Sequence, residues 1–449
     1  MLLLIFLALA SSLRIQKNFA ISNIERTVSL TDRYVSIQSK ITFQNDGVIP
    51  IEKVYYTIHN VLADRLYHVN IEECNAKKLI EDVDVKYKQN ATVYEFTLNK
   101  PIEPSSTLEV ELSEQFYKRF NPLPKEIGLE DEQLVQFLDS VYFFTPYLVK
   151  NQITYYETPK IISYTLKSAI QRNQLLEFGP YQDVKPYTTQ IHTIHLENNT
   201  PMTIFTKASK IVEVSHWGNI LIEENYSIEN QGAKLKGEFG RVNFNKYNPN
   251  VGKHSLKQLS ASLPYDSWGV YYRDEIGNIS TSNAAKGKLN GENQALVQLR
   301  PRFAIFGGWR SNFTLGYNLP TKKYLEQDGN NFRLTLNFSF SVKEVVSDKY
   351  TFQISLPEGA YDIQVDLPLQ VERNDTLLFS YFDTVGRPTI ILNKATTSQY
   401  DNKQIIITYR LSGTSILREP LMIFGTFLFA FLSIIYLRRL DLQTLKLKE

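Results

Sequence analysis

The chain has 449 residues, 49 Lys and Arg against 47 Asp and Glu, a net charge of +2 and one cysteine. Both signs are spread along it, so no basic stripe argues for nucleic acid and no acidic tail for a cation buffer. One cysteine excludes an intrachain disulfide and a thiolate zinc cluster, and the length exceeds that at which single cores usually split, so at least two domains are expected.

Met1 to Ala10 reads MLLLIFLALA and ends in an A-x-A cleavage pattern. It is too short to span a bilayer and reads as a secretory signal peptide. Strand patterns follow. Val35, Ile37, Ile41 and Phe43 fall on one face and Ser36, Gln38, Lys40 and Thr42 on the other, ahead of the turn Asn45-Asp-Gly47. Cys74 has Glu72 and Glu73 closer than Lys77 and Lys78, which opposes a thiolate, so a buried, inert thiol is expected. Helices are predicted near Glu130–Leu138 and Leu166–Leu176. His192 and His195 make H-x-x-H, but in a strand i and i+3 point to opposite faces, against a shared metal.

A faint repeat links the two halves. Val28-Ser29 leads through an alternating strand to Asn45-Asp-Gly47, and Val214-Ser215 through Ile220, Ile222, Tyr226 and Ile228 to Asn230-Gln-Gly232. The reading is a mainly β chain with two tandem, sandwich-like domains at 11–210 and 211–418. Asp274 and Glu275 are adjacent, whereas a glycosidase pair must face a bond from opposite sides; a turn salt-bridged to Arg273 is expected instead. Trp217 and Trp309 could stack on sugar, but a lone Trp beside Gly is more often packed core. Leu334, Leu336, Phe338, Phe340 and Val342 alternate cleanly, as do Ile405, Ile407, Tyr409 and Leu411.

Leu421 to Leu437 carries no charge and is followed by Arg438-Arg439. At about 1.5 Å per residue it spans roughly 26 Å as a helix, close to the ~27 Å hydrocarbon of the endoplasmic reticulum bilayer. The arginines mark the cytoplasmic flank. The two ends together predict a type I protein with its bulk in the lumen or outside the cell and a short cytosolic tail at 438–449. Within the span Thr426, Ala430 and Ser433 share a face of small residues that could dock on another helix. Acceptor sequons N-x-S/T occur at Asn90, Asn198, Asn225, Asn278, Asn312, Asn337 and Asn374. Asn198 is weakened by Pro201, and Asn278, beside Gly277, is the strongest. The sequence holds no H-E-x-x-H, G-x-S-x-G or P-loop, so neither catalytic residues nor a cofactor or metal site are assigned.

Residues 211–320 resemble the ribophorin I family. The similarity lies in Ile211-Val-Glu-Val-Ser-His-Trp-Gly-Asn-Ile220, Tyr271-Tyr-Arg-Asp-Glu-Ile-Gly-Asn-Ile-Ser-Thr281, Arg300-Pro-Arg-Phe303, Phe306-Gly-Gly-Trp309 and Gly316-Tyr-Asn-Leu-Pro320. It extends through Phe178-Gly-Pro-Tyr181, Leu356-Pro-Glu-Gly359, Asp383-Thr-Val-Gly-Arg-Pro388 and Arg418-Glu-Pro-Leu421, while residues 20–120 follow the family in pattern alone. The resemblance implies a single-span accessory subunit of the oligosaccharyltransferase of the endoplasmic reticulum. That complex moves an oligosaccharide from dolichyl diphosphate to sequon Asn. The implied partners are its other subunits, including the polytopic catalytic one, nascent acceptor polypeptides and membrane lipid. Animal members continue into a helical cytosolic domain implicated in ribosome contact; this sequence reads to Glu449, which puts that contact in doubt. The alternative is a type I cell-surface receptor or adhesin, which would usually carry disulfides and a longer tail. A third reading, an inactive peptidase-like ectodomain, could survive only as a fold relation.

Overall fold

The computed structural model describes residues 18–73, 78–79, 83–87, 91–240, 244, 251–280, 282–289, 292–380 and 383–446. Residues 1–10, read from the sequence as a signal peptide, Cys74 and Asn90 lie outside the described residues. Strands dominate and form two compact units. One contains the chain up to Thr203 with Asn230–Leu256 and Phe306–Trp309; the other contains Ile204–Glu229, Lys257–Ile305 and the chain from Arg310.

The first unit therefore takes two short stretches from beyond the boundary at 210 read from the sequence. Local pairing holds them there. Lys234–Leu235 runs parallel to Glu126–Ile127, and Asn230 Nδ2 donates to His254 O. Gly307 lies so close to Ala233 that a Cβ would sit 2.0 Å from its carbonyl oxygen; only glycine permits that approach.

The main sheet of the first unit has eight strands. Their order is Ile170–Arg172, Leu175–Val184, Val149–Glu157, Phe19–Ser29, Val35–Asn45, Ser106–Phe116, Leu66–Glu73 and Lys78–Leu79. The alternation read in Val35–Phe43 is present: Val35, Ile37, Ile41 and Phe43 enter the core. Three smaller sheets complete the unit: Ile51–His59, Ala91–Ile102 and Val83–Tyr87 in one, Lys160–Tyr164, Ile191–Glu197, Leu134–Ser140 and Phe120–Pro122 in the second, and the pair Glu126–Ile127 with Lys234–Leu235 in the third.

The second unit has a seven-stranded sheet in the order Trp268–Asp274, Arg310–Pro320, Asn219–Asn230, Thr203–Val214, Tyr350–Ser355, Arg387–Lys394 and Glu372–Leu378. A four-stranded sheet contains Leu325–Asp328, Asn331–Asn337, Gln404–Arg410 and Tyr361–Asp366, and a three-stranded one Leu259–Pro264, Glu292–Leu299 and Asn283–Leu289. Leu334, Leu336, Phe338, Phe340 and Val342 are all buried, as are Ile405, Ile407, Tyr409 and Leu411.

The repeat is structural. In each unit the first strand of a hairpin, Phe19–Ser29 or Thr203–Val214, also pairs in parallel with a distant strand, Val149–Glu157 or Tyr350–Ser355. Each hairpin ends in a buried Asn whose Oδ1 accepts from a Gly two residues on, Gly47 onto Asn45 and Gly232 onto Asn230, both at 3.0 Å. An Asx turn at that corner explains why Asn-x-Gly recurs there.

Both predicted helices are corrected. Leu134–Ser140 is a strand paired with Ile191–Glu197 and Phe120–Pro122. Its apolar residues fit either period in so short a run, and the ladder on both sides decides for the strand. Residues 166–176 hold the hairpin of Ile170–Arg172 with Leu175–Val184, turning at Asn173 with φ 54°, a conformation Asn tolerates.

The terminal helix runs Arg418–Lys446, and Pro420–Arg439 is long and apolar enough to cross a membrane. Pro420 falls in its first turn, where a missing N–H is harmless. The helix continues past Arg438-Arg439.

Candidate functional site

Three strands of the first unit each place one charged residue in an apolar register. Arg26 lies between Ile24 and Val28, Glu114 between Leu112 and Phe116, and Asp139 between Phe137 and Val141; all are buried. Buried charges require partners, and these converge. Asp139 Oδ2 accepts from Arg26 Nη2 at 2.9 Å and from the Tyr156 hydroxyl at 3.1 Å, and Oδ1 accepts from Arg119 Nη2 at 3.3 Å. Arg26 and Arg119 also donate to the carbonyls of Ser140 and Leu138, at 3.0 and 2.7 Å. Tyr56 donates to Glu114 Oε1.

Two atoms are left over. Glu114 Oε2 and Arg26 Nε are buried without a hydrogen-bond partner. Both residues line a cleft of about 400 Å³ whose walls include Tyr56, Leu62, Tyr142, Phe143 and Phe144, with exposed Val61, Leu138 and Ile191 at its edge. Burial pushes the Glu114 carboxyl upward, against the pull of Arg26. Burial would raise Asp139 too, but Arg26 and Arg119 outweigh it and hold it low. Burial opposes the charge on Arg26, yet Asp139 keeps it above the ordinary arginine value. The floor of the cleft is thus a fixed charge network in which one carboxylate oxygen and one guanidinium N–H are buried and unpaired.

The second unit has a buried pair of a different character. Lys210 and Glu224 lie 3.6 Å apart. Lys210 Nζ donates to Asn337 O and Ser339 O, both at 3.0 Å, and both Glu224 oxygens accept from Ser341 or Tyr226. Every group in it is satisfied, as in a structural core network.

Of the residues singled out in the sequence, His192 is buried between Tyr156 and Phe178, while His195 points the other way and contacts Leu123 O. Asp274 does pair with an arginine, but it is Arg302, at 2.8 and 2.9 Å, rather than Arg273, which joins Glu223. Hydrogen bonds from Arg302 lower the Asp274 carboxyl to about 2. Trp309 packs on Phe239 and Phe306. Trp217, expected in the core, is 66% exposed. Among the described residues no group of three or more His, Cys, Asp or Glu could hold a metal.

Asn278, Asn312, Asn337 and Asn374 are exposed and Asn225 is half-buried. Two sequons face each other across paired strands, Asn225 against Thr314 and Ser227 against Asn312. Asn198 differs. It is buried, its amide donates to Leu30 O and Asp32 O, and its Oδ1 accepts from Thr200 N. In the span, the hydroxyls of Thr426 and Ser433 donate to Met422 O and Phe429 O of their own helix, both at 2.8 Å.

Fold and site together define a β-rich protein with an apolar-walled cleft in its first unit and a helix suited to a membrane. The chain belongs to the Ribophorin I family, whose model it matches over residues 19–438. It is 30% identical over 443 residues to dolichyl-diphosphooligosaccharide–protein glycosyltransferase subunit 1A of Arabidopsis thaliana, covering 96% of this chain and 71% of that one. It is also 30% identical over 447 residues to subunit 1 of Caenorhabditis elegans, covering 98% and 76%. Among solved structures, an M1 zinc metallopeptidase from Deinococcus radiodurans covers 44% of each chain at 14% identity and a TM-score of 0.24, too low for any conclusion.

Proposed function

We propose that this chain is an accessory, noncatalytic subunit of an oligosaccharyltransferase of the endoplasmic reticulum, the complex its relatives are named for, and that it holds acceptor polypeptide. The cleft carries the second half of this reading. A neutral amide carries one acceptor and a donor, the two kinds of partner that Arg26 Nε and Glu114 Oε2 lack. Amides are what an extended polypeptide offers, in its backbone and in Asn and Gln. The apolar walls suit a neighbouring side chain. An unpaired buried polar group costs about 1–3 kcal/mol, so a ligand that pairs both atoms gains affinity from the floor as well as from the walls.

In this reading transfer from dolichyl diphosphate takes place on the polytopic catalytic subunit. The chain is type I, with both β units lumenal and Arg438-Arg439 on the cytosolic side. Exposed Asn278, Asn312, Asn337 and Asn374, with Asn225, are its own glycan acceptors. Asn198 is dropped from the set, because a glycan there would break the bonds of a buried side chain. Thr426, Ala430 and Ser433 form the docking face toward the polytopic part. Two of them already satisfy their hydroxyls within the helix, so this contact works through close packing.

The test is purification of a tagged chain from gently solubilised membranes. Transfer from lipid-linked oligosaccharide to a sequon peptide should accompany it, and the chain purified alone should show none. Activity in the isolated chain, or a purified assembly without activity, overturns the reading.

A further inference from the structure

The strand registers of the second unit bring one end of its main sheet toward the start of the terminal helix. Gln404–Arg410 leads directly into the terminal helix, and Arg418 in the first turn of that helix forms an ion pair with Glu358 at 3.5 Å. Glu358 follows the end of Tyr350–Ser355 and also accepts from Thr384 N and Val385 N, both at 2.6 Å. This holds the loop before Arg387–Lys394 at the base of the helix. Leu378, the last residue of Glu372–Leu378, pairs with Arg387 at the same end.

Thr203–Val214 runs parallel to Tyr350–Ser355, so it too ends here. Its following turn is fixed to the strand that feeds the helix, through His216 Nε2 and the Tyr409 hydroxyl at 2.8 Å. Asn219 pairs with Pro320 and Trp268 with Asn318, which brings the remaining strand ends to this side. All seven strands of the sheet thus present one end toward the start of the membrane helix.

That end carries the unit's two most exposed tryptophans and its most exposed phenylalanine ahead of the terminal helix. Trp217 is 66% exposed, Trp268 54% and Phe379 63%, and Tyr361 and Val385 are exposed beside them. Asp266, Asp362 and Asp383 there are each paired with a basic residue, Lys323, Arg410 and Arg387. The other end is different in kind. Asn278 is bridged to Arg273, five residues along the strand from Trp268, about 17 Å at the rise of an extended strand. Asn337 pairs with Gln404, six residues before Arg410, roughly 20 Å away by the same rise. Asn278 and Asn337 lie far from the helix base, and Trp217, Trp268 and Phe379 lie beside it, while the smaller exposed rings Phe303 and Tyr400 sit at the sequon end.

We propose that this end of the second unit is seated in the interfacial layer of the lipid bilayer, with Trp217, Trp268 and Phe379 as its anchors. Trp and other aromatic rings favour the headgroup level, where an apolar body and a polar edge are both accommodated. A lone membrane helix leaves an ectodomain free to tilt, and a second set of contacts around its base fixes the orientation. The inference rests on the helix crossing a bilayer and is independent of the cleft and of the glycosyltransferase reading.

The experiment uses the full chain in phosphatidylcholine nanodiscs and its tryptophan emission. The emission of Trp217 and Trp268 is the difference between the native chain and the Trp217→Phe, Trp268→Phe variant. Lipids brominated on the acyl chain near the headgroup should reduce this difference about twofold or more, while aqueous iodide leaves it nearly unchanged. Phe379→Trp, which adds a ring at an exposed position, should add emission with the same response. Quenching by iodide but not by bromolipid would place the end in water and overturn the proposal. Protection from both quenchers would mean that protein covers the rings, and would overturn it as well.

Discussion

Asp139→Asn tests the ion network most sharply. The substitution keeps the shape of the side chain and removes the charge that two buried guanidinium groups share. Arg26, at 2.9 Å, and Arg119, at 3.3 Å, then face a neutral amide in a buried site. Breaking a buried pair in this way costs about 3–5 kcal/mol, because the remaining charge is uncompensated. For a domain of 150–250 residues each kcal/mol lowers the midpoint by about 2–4 °C, so a fall of roughly 6–20 °C is expected. Differential scanning calorimetry of the full chain in nanodiscs reads this as a shift of the first unit's transition. A variant that combines Arg26→Met, Arg119→Met and Asp139→Leu with Glu114→Gln removes every charge of the network, and replacing a buried ion network by neutral groups is often neutral or stabilising. It should melt near the native temperature. A fall of only a few degrees in the single variant would refute the argument that Asp139 neutralises both arginines, and equal losses in the two variants would refute the balance between pairing and burial.

Glu114 gives a pH dependence of known sign. Its folded pKa is raised by burial, so the stability it contributes is present below the unfolded value near 4.3 and is lost as pH rises through the folded value; Glu114→Gln should flatten the curve of stability against pH, and an unchanged curve would contradict the assignment. Protease added to sealed microsomes should remove only about one kilodalton beyond the membrane helix, and loss of the large domain would reverse the orientation. Endoglycosidase should shift the protein by more than one glycan on a gel, with Asn278→Gln abolishing one step and Asn198→Gln abolishing none. Replacing Thr426, Ala430 and Ser433 together by Leu should preserve insertion but release the chain from its complex, so normal co-purification would reject the docking face.

The strands were legible because alternation survives in the letters: Val35 to Phe43, Leu334 to Val342 and Ile405 to Leu411 each show one apolar face, and each is buried as read. The paired Asn-x-Gly corners were legible too, since the turn needs those residues. The cleft was missed although its signal is local. Arg26, Glu114 and Asp139 each occupy the apolar phase of an alternating strand, and a charge in that phase announces a buried network. That the three meet depends on strand order, which single-strand patterns do not contain. The helix expected near Glu130–Leu138 is instead the strand Leu134–Ser140, because a short apolar run fits both periods until its neighbours are known. Arg302, rather than Arg273, reaches Asp274 for a related reason, since a partner from a distant loop is set by the fold. Trp217 was assigned to the core from the general behaviour of Trp beside Gly; its place at the helix end of the sheet follows only from the registers of seven strands.

The central claim is that the cleft holds acceptor polypeptide for a glycosyltransferase complex. Sequon occupancy across the secreted glycoproteins of a cell, read by quantitative mass spectrometry, tests it most directly when the native chain is replaced by Val61→Asp, Ile191→Asp. Both positions are exposed at the cleft edge, so folding and co-purification with the complex should be retained. The account predicts that occupancy falls at a subset of sequons while the assembled complex remains at its normal level. Full occupancy everywhere, with the variant assembled in the complex, would contradict it.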